Sequence, residues 1–440
     1  MIAEAASPRR APFDRWGIPL LGLLALVPLF WCWSDFRDLY WFGDEWDQLD
    51  QIARHGFRSW TLGFFGENFA PLFKIVWGTV ALESGGSYFA LIVTVWLVHA
   101  VGVILLGRWM REAGFGCIGT TLALILFGVA ATNVETLGWA VQLITVQGMM
   151  FFIAAARWHQ ARESEGAWTI RSGFVLGALV ALSTFSFVRG ALTGLSLAAA
   201  TVLPFLVVRA RWPQWRRPLL LTLVCLLPAF ISIGLIATFA GGNHQHLAKA
   251  GLGPPAEFAG WYFLLNPFHR LFDVTTWGPH TTLVLGAGKL LVLGCGWRWA
   301  SASQRRLLGP LLIFELGNAI LLGIGRHHTG LQATVSSRYQ YVSLLATAPF
   351  LAVILEAILR RASVWRWAPP VVAAGFVFGA GWFALHPWPA TMKSWAESRG
   401  RQSRHTLTVD PNPPAMGVVP GIDFIPTQRA KELIEKYHLH

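Results

Sequence analysis

The 440-residue sequence predicts an all-α polytopic membrane protein with about 11 transmembrane helices and an interfacial helix in its first external loop. Three observations carry this. The chain is 54% hydrophobic and only 13% charged, where a soluble domain has about a quarter of its residues charged. Apolar runs of roughly 17 to 22 residues recur along it and match the ~20 needed to cross a bilayer core. Such runs are too long for barrel strands, and a spanning segment must satisfy its own backbone hydrogen bonds, so each run is expected to be helical.

In chain order the runs fall near 16–34, 87–108, 116–132, 139–157, 172–188, 190–208, 218–239, 281–297, 307–325, 339–359 and 368–385. The first has no small-residue cleavage site and reads as a retained signal anchor. The net charge is +12, and about half of the 35 Lys and Arg residues lie in the short turns at one end of these spans. Arg108, Arg111, Arg157, Arg162, Arg305, Arg306, Arg360 and Arg361 are among them. This is the positive-inside pattern, so the basic charge reflects topology rather than a nucleic-acid partner. It puts the N-terminus in the cytoplasm and the C-terminus outside, as expected of a protein of the bacterial inner (plasma) membrane. Cys32, Cys117, Cys225 and Cys295 lie in or beside apolar runs with no paired spacing, which argues against a disulfide framework or zinc site.

The organisation is then a membrane-embedded unit, 1–385, and a short external tail, 386–440. The tail ends in "PTQRAKELIEKYHLH", where Thr427 is placed to cap a helix with Leu433, Ile434 and Tyr437 on one side. The tail is too small for an independent enzyme domain, so any chemistry is expected at the membrane surface.

The first external loop, 35–86, is the informative one. In "WDQLDQIARHG", Trp46, Leu49 and Ile52 recur at three-residue intervals and Gly56 is placed as a stop, which predicts a short amphipathic helix with Asp44 as its N-cap. The segment from Pro71 to Glu83 is apolar apart from Lys74. It reaches only about 20 Å as a helix, and is expected to lie in the interface or to re-enter.

The loop also holds the densest carboxylate cluster, "GDEWDQLD". Two readings stand side by side. Asp44 is a helix cap and Glu45, Asp47 and Asp50 a solvated face; or Asp44 and Glu45 are tuned by partial burial among Trp41, Phe42 and Trp46 to act as a general base or to share a divalent cation. Glu67 with Asn68, and Asn133 with Glu135, are further polar pairs on the same expected face, each either a helix-end cap or part of a site. On the basic side, Arg338 and Tyr339 begin a late span where positive charge is otherwise scarce. They read as a snorkelling anchor or as a phosphate clamp, because guanidinium pairs bidentately with phosphate oxygens. Arg189 is a second candidate of the same kind, and His327 and His328 are candidate metal ligands or polar filler.

From about 35 to 157 the chain resembles the GT-C superfamily of polyprenyl-phosphate-sugar glycosyltransferases. It is most similar to the transmembrane protein O-mannosyltransferases of the tetratricopeptide-containing kind. The likeness runs through a first span, the acidic "GDEWD", an interfacial helix, "APLFKIVWGTVALESGGSYF", "WLVHA" and "NVETLGWAVQLITVQGMMFFIAA", and it returns in the late "SRYQY". The sequence departs from that pattern at Ala70, where the family has arginine before Pro-Leu, and at Asn133, where histidine is common, and no tetratricopeptide repeats follow. The resemblance implies a GT-C-like fold and transfer of a sugar from a polyprenyl-phosphate donor to an acceptor hydroxyl on the outer face. It makes Asp44 the general base, with Glu45 supporting it or ligating a divalent cation, and Arg338, Tyr339 and Arg189 donor phosphate contacts. Asp47, Glu67, Asn68, Asn133 and Glu135 become acceptor-side or supporting residues, and the acceptor a glycan, lipid or protein. The competing class is a transporter or lipid-linked-sugar flippase, which would favour ionisable residues near the bilayer midplane. Lys289, Glu315 and Glu356 are the notable ones here.

Overall fold

The structure is a computed structural model that describes residues 13–64, 68–166, 168–208, 212–239, 251–274, 278–362, 368–408 and 425–440. Among these residues there is no β-strand. Every expected span is a helix: α1 (Phe13–Trp31), α5 (Tyr88–Glu112), α6 (Cys117–Val129), α7 (Leu143–Glu165), α8 (Ile170–Ser186), α9 (Ala191–Val208), α10 (Trp212–Phe239), α12 (Pro279–Trp299), α13 (Ala302–Arg326), α14 (Gln340–Ala362) and α15 (Ala368–Leu385). Eight of the described helical segments are long and apolar enough to cross a membrane. Not among the eight are α8, the apolar segment Val188–Leu203 that holds most of α9, and α12. Between α1 and α5 lie α2 (Asp44–His55), α3 (Phe57–Leu62) and α4 (Pro71–Glu83). Helix α11 (Gly253–Leu265) precedes α12, and α16 (Trp388–Ala396) and α17 (Thr427–Tyr437) follow α15.

Polar contacts sort the loops into two ends. At the arginine-rich end Arg111 pairs with Asp14 and Arg157 with Glu112, both at 2.6 Å, and Glu356 accepts from the Gly116 N–H at 2.7 Å. Side-chain capping boxes at Thr169/Ser172 and Ser301/Gln304 start α8 and α13 there, satisfying N–H groups that the helices cannot. At the opposite end Arg401 meets Asp38, Arg429 meets Asp50, and Glu135 meets Ser337. Each of these pairs joins loops that the alternating span pattern puts on one side. Inside the bundle, Lys289 and Glu315 are wholly buried and form an ion pair, and Lys289 also donates to the Asn266 carbonyl and Ser343. Two of the three ionisable residues singled out within spans therefore neutralise each other, as buried charges must, and the third, Glu356, serves the arginine-rich end.

The first loop is fastened by aromatic packing. Trp41 meets Trp77 and Tyr88 edge to face at 5.8 and 5.4 Å between centroids, and Trp46, Leu49 and Ile52 are buried as their spacing predicts. Trp60 of α3 donates to Gln48 of α2 at 2.9 Å. Helix α4 does not span. Its 13 residues bury Phe73, Lys74, Trp77, Gly78 and Ala81, and its one charge has a structural reason. The Lys74 ammonium donates to the carbonyls of Trp60, Gly63 and Phe64 at the end of α3, at 2.8, 3.1 and 3.3 Å, the first of which also accepts the Gly63 N–H. Burial pushes its pKa down to about 8, while Asp47 works upward.

The two N-cap expectations are corrected. Helix α2 begins after Gly43, whose φ of 59° is the cap geometry, and Asp44 is the first helical residue. That left-handed backbone suits glycine, and the Trp139 ring lies 3.4 Å from where a Cβ would stand. Helix α17 likewise starts at Thr427 behind Pro426, with no side-chain cap bond.

Replacing Lys74 by Met keeps the stem but takes the ammonium from three carbonyls, of which Trp60's keeps the Gly63 N–H. A loss of about 1.5–3 kcal/mol is expected, read as a lower melting temperature of the detergent-solubilised protein. An unchanged melting temperature would show that water serves those carbonyls equally well.

Candidate functional site

The segment 131–142 links α6 to α7 at the end opposite the arginines and is buried almost throughout. It folds as two 3₁₀ turns, Ala131–Asn133 and Ala140–Gln142, around a helical turn, Val134–Leu137. Two carboxylates tie this segment to the rest of the chain: Glu45 accepts from it, and Glu135 within it accepts from a later turn.

The first is Glu45. Its Oε1 accepts from the Val141 N–H at 2.9 Å and the Tyr88 hydroxyl at 3.2 Å, and Oε2 accepts from the Phe42 N–H at 3.0 Å. The Tyr88 oxygen in turn accepts from the Ala140 N–H at 3.2 Å. Glu45 is wholly buried. Burial pushes its carboxyl up to about 8; its three donors work downward, and the charge of Asp44 adds to the rise. The second is Glu135. Its Oε2 accepts from Ser337 and Ser336 at 2.7 and 3.1 Å and from the Arg338 N–H at 3.1 Å. One turn thus holds the acidic start of α2 on one side and the Arg338 turn on the other.

The remaining acids of α2 have distinct surroundings. Asp44 is half-buried beside Glu45. Asp47 accepts from Gln51 at 2.7 Å, and burial raises its pKa. Burial also works upward on Asp50, but its hydrogen bonds to Arg429 and Arg54 outweigh that and hold it below its usual range. Asp50 is therefore the dock for α17, with Arg429 at 2.7 Å.

The basic groups converge on Tyr339, which is buried. The Arg338 guanidinium lies 5.2 Å from its ring centroid and Arg189 5.6 Å. Arg338 Nε is buried with no hydrogen-bond partner, and among the described residues neither arginine forms an ion pair. Burial pulls Arg189 down to about 10, with Arg326 and Arg338 adding repulsion and the Tyr339 and Tyr262 side chains working upward. Asn133 is buried and donates to the Phe127 carbonyl at 3.2 Å, and its Oδ1 has no partner. Asn68 is half-buried, and Glu67 lies outside the described residues.

The expected cation ligands do not come together. His327 and His328 face each other with centroids 5.9 Å apart, and His327 Nδ1 donates to the Gly323 carbonyl. Both Glu45 oxygens are engaged by protein donors, and among the described residues no three His, Cys, Asp or Glu side chains gather as a metal site. Among the described residues, then, His327, His328 and Glu45 do not gather around a common cation position.

Sequence reasoning missed Arg399. It sits just beyond α16, 3.7 Å from the Trp395 centroid, 4.1 Å from Phe42 and 5.3 Å from Trp139. Burial lowers its pKa, Glu135 pulls it back up, and Arg338 adds repulsion. Beside its own segment's Trp395, the rings Phe42 and Trp139 come from two distant stretches, at which only the resemblance-bearing "GDEWD" and "NVETLGW" hinted.

Glu45 yields a pH-dependent prediction. The folded carboxyl keeps its proton until about pH 8, whereas an unfolded one releases it near 4.5. The native state then binds the extra proton, so stability falls as pH rises through that window and levels off above it. Glu45→Gln cannot titrate. Its melting temperature should gain steadily on the wild type between about pH 5 and 8, above a constant offset for the altered Phe42 contact. A difference that stays flat with pH would mean Glu45 is ionised throughout.

No protein-family model matches the chain, and no curated protein matches it. Solved structures do. An oligosaccharyltransferase from Archaeoglobus fulgidus, in complex with zinc and sulfate, is similar with a TM-score of 0.53 at 13% identity, covering 96% of this chain and 57% of that one. A second oligosaccharyltransferase structure from that organism, with an inhibitory peptide and a dolichol-phosphate, gives 0.45 at 12% identity, covering 91% and 59%. The chain thus spans less than three-fifths of the length of the proteins it matches. The first likeness is one of fold: this is a polytopic all-α membrane protein with the GT-C architecture.

Proposed function

We propose that the protein is an integral-membrane glycosyltransferase that moves a sugar from a polyprenyl-phosphate donor to an acceptor hydroxyl on the outer face of the membrane. One observation carries this reading. The 131–142 turn draws the Asp44–Glu45 start of α2 and the Arg338 turn to the same place, through Glu45 and Glu135. A half-buried acid and a guanidinium with a buried, unpartnered Nε are the complementary groups that hydroxyl activation and phosphate departure need.

In this reading the donor lipid lies between spans with its headgroup at the end opposite the arginine-rich turns, which face the cytoplasm. Asp44 accepts the proton of the acceptor hydroxyl, whose oxygen attacks the anomeric carbon. The bond from that carbon to the lipid phosphate breaks, and the phosphate leaves with the electron pair. Arg338 and Arg189, gathered at Tyr339, meet the charge that grows on it. Glu45 is a positioning group that fixes the start of α2. The acceptor is a glycan, lipid or protein hydroxyl. A transporter reading draws less from the bundle interior, where Lys289 and Glu315 form an ion pair with each other.

Two substitutions test this in liposomes. Asp44→Asn keeps shape and polarity but removes the base, so transfer should fall on the order of 10²–10⁴-fold with donor binding retained. Arg338→Lys keeps a point charge without the planar fork; donor affinity should drop by roughly 10- to 150-fold. Full turnover by Asp44→Asn would end the base assignment, and unchanged donor dependence in Arg338→Lys would make that residue a membrane anchor.

A further inference from the structure

The segment after α15 returns over the first loop, and contacts other than Arg399 hold it there. Arg401 reaches Asp38 at 2.6 Å and Asp35 at 3.2 Å. Trp388 donates to the Val129 carbonyl at 2.7 Å and Trp395 to that of Gly138 at 3.2 Å. Gly400 lies so close to the chain at Asp38 that a Cβ would meet its carbonyl oxygen at 1.9 Å. Arg399 is thus carried to its place by its neighbours.

That place is the edge of the proposed site. Phe42, one ring beside the guanidinium, stands two residues before Asp44, and Trp139, another, stands four after Glu135. Aromatic faces fix the plane of a guanidinium and stabilise its charge but accept none of its hydrogen bonds in the plane. Arg399 Nη1 is accordingly buried with no partner, and among the described residues Arg399 forms no ion pair. Leaving a charged donor unsatisfied is unfavourable in the absence of a ligand. Arg338, with its own buried unpartnered Nε, binds Glu135 through its backbone N–H, and Trp395 binds the same turn at Gly138. Two arginines with unpartnered guanidinium nitrogens are therefore carried by segments that bind one turn three residues apart, at Glu135 and Gly138.

We infer that Arg399 is a phosphate-binding residue of the donor site, so that the C-terminal segment completes that site as well as strapping the first loop. The inference rests on the lipid-phosphate donor reading above. Arg189 and Arg338 hold the headgroup from the Tyr339 side and Arg399 from the Phe42 side. The ligand chemistry is a phosphate oxyanion, from a lipid headgroup or from free phosphate.

Equilibrium binding to the full chain in detergent tests it, with polyprenyl phosphate and inorganic phosphate titrated separately against wild type, Arg399→Met and Arg338→Met. Polyprenyl phosphate should bind Arg399→Met at least about tenfold more weakly than wild type, with inorganic phosphate affected little. Wild-type affinity in Arg399→Met, with Arg338→Met impaired, would overturn this inference and leave the donor reading standing. No binding of polyprenyl phosphate to wild type would remove the donor reading and this inference with it. An effect on inorganic phosphate alone would overturn the assignment to a lipid headgroup. Phenylglyoxal footprinting of the wild type covers the case in which Arg399→Met misfolds. Polyprenyl phosphate should protect Arg399 and leave exposed Arg37 reactive, and equal modification of Arg399 with and without the lipid would overturn the inference.

Discussion

The constraint on which the rest depends is the hydrogen-bond demand of a short buried turn. Residues 131–142 must reverse the chain between α6 and α7 at the edge of the bundle, and their own backbone cannot satisfy all their donors. Glu45 supplies acceptors from a segment about ninety residues earlier, to Val141 directly and to Ala140 through Tyr88. Glu135 spends an oxygen on the Ser336–Arg338 turn about two hundred residues later. A carboxyl this buried is held largely uncharged at neutral pH, so the link works as a hydrogen-bond clamp rather than an ion pair. Together with the aromatic packing of the first loop, it ties the start of α2 and the Arg338 turn to one segment.

Charge is divided accordingly. At one end arginines meet carboxylates in ordinary ion pairs, such as Arg157 with Glu112 and Arg111 with Asp14. At the other, Arg401 and Arg429 also pair with carboxylates, while Arg189, Arg338 and Arg399 are set against aromatic rings with no ion pair among the described residues. A ring orients a guanidinium while leaving its in-plane donors for something else. At that end, then, Arg401 and Arg429 fasten segments together, while Arg338 and Arg399 keep a buried nitrogen without a partner.

The spans were legible because apolar runs near the bilayer thickness have one backbone solution, and α2 because Trp46, Leu49 and Ile52 mark a face that Gly56 ends. The non-spanning α4 followed from its length. What escaped were features set by tertiary demand. Gly43 takes the cap position because its φ of 59° is one that residues with a side chain rarely adopt, and nothing local announces that turn. Lys74 looked like an interruption in an apolar helix until the carbonyls at the end of α3 gave it a task. Arg399 is one of several arginines in a polar tail, and its distinction lies in rings from three separate stretches. His327 and His328 showed the converse: adjacency in sequence brought no further ligand to them among the described residues.

The central claim is that catalysis belongs to the end built around 131–142. Proteoliposomes in which the protein faces one way, with orientation read by labelling a cysteine placed at the exposed Ser398, allow a direct measurement. Polyprenyl-phosphate sugar is supplied with its headgroup in one leaflet or the other, and release of free polyprenyl phosphate is followed. Release is predicted only from the leaflet on the Ser398 side. Release from the leaflet facing the arginine-rich turns, or from neither, would contradict the account.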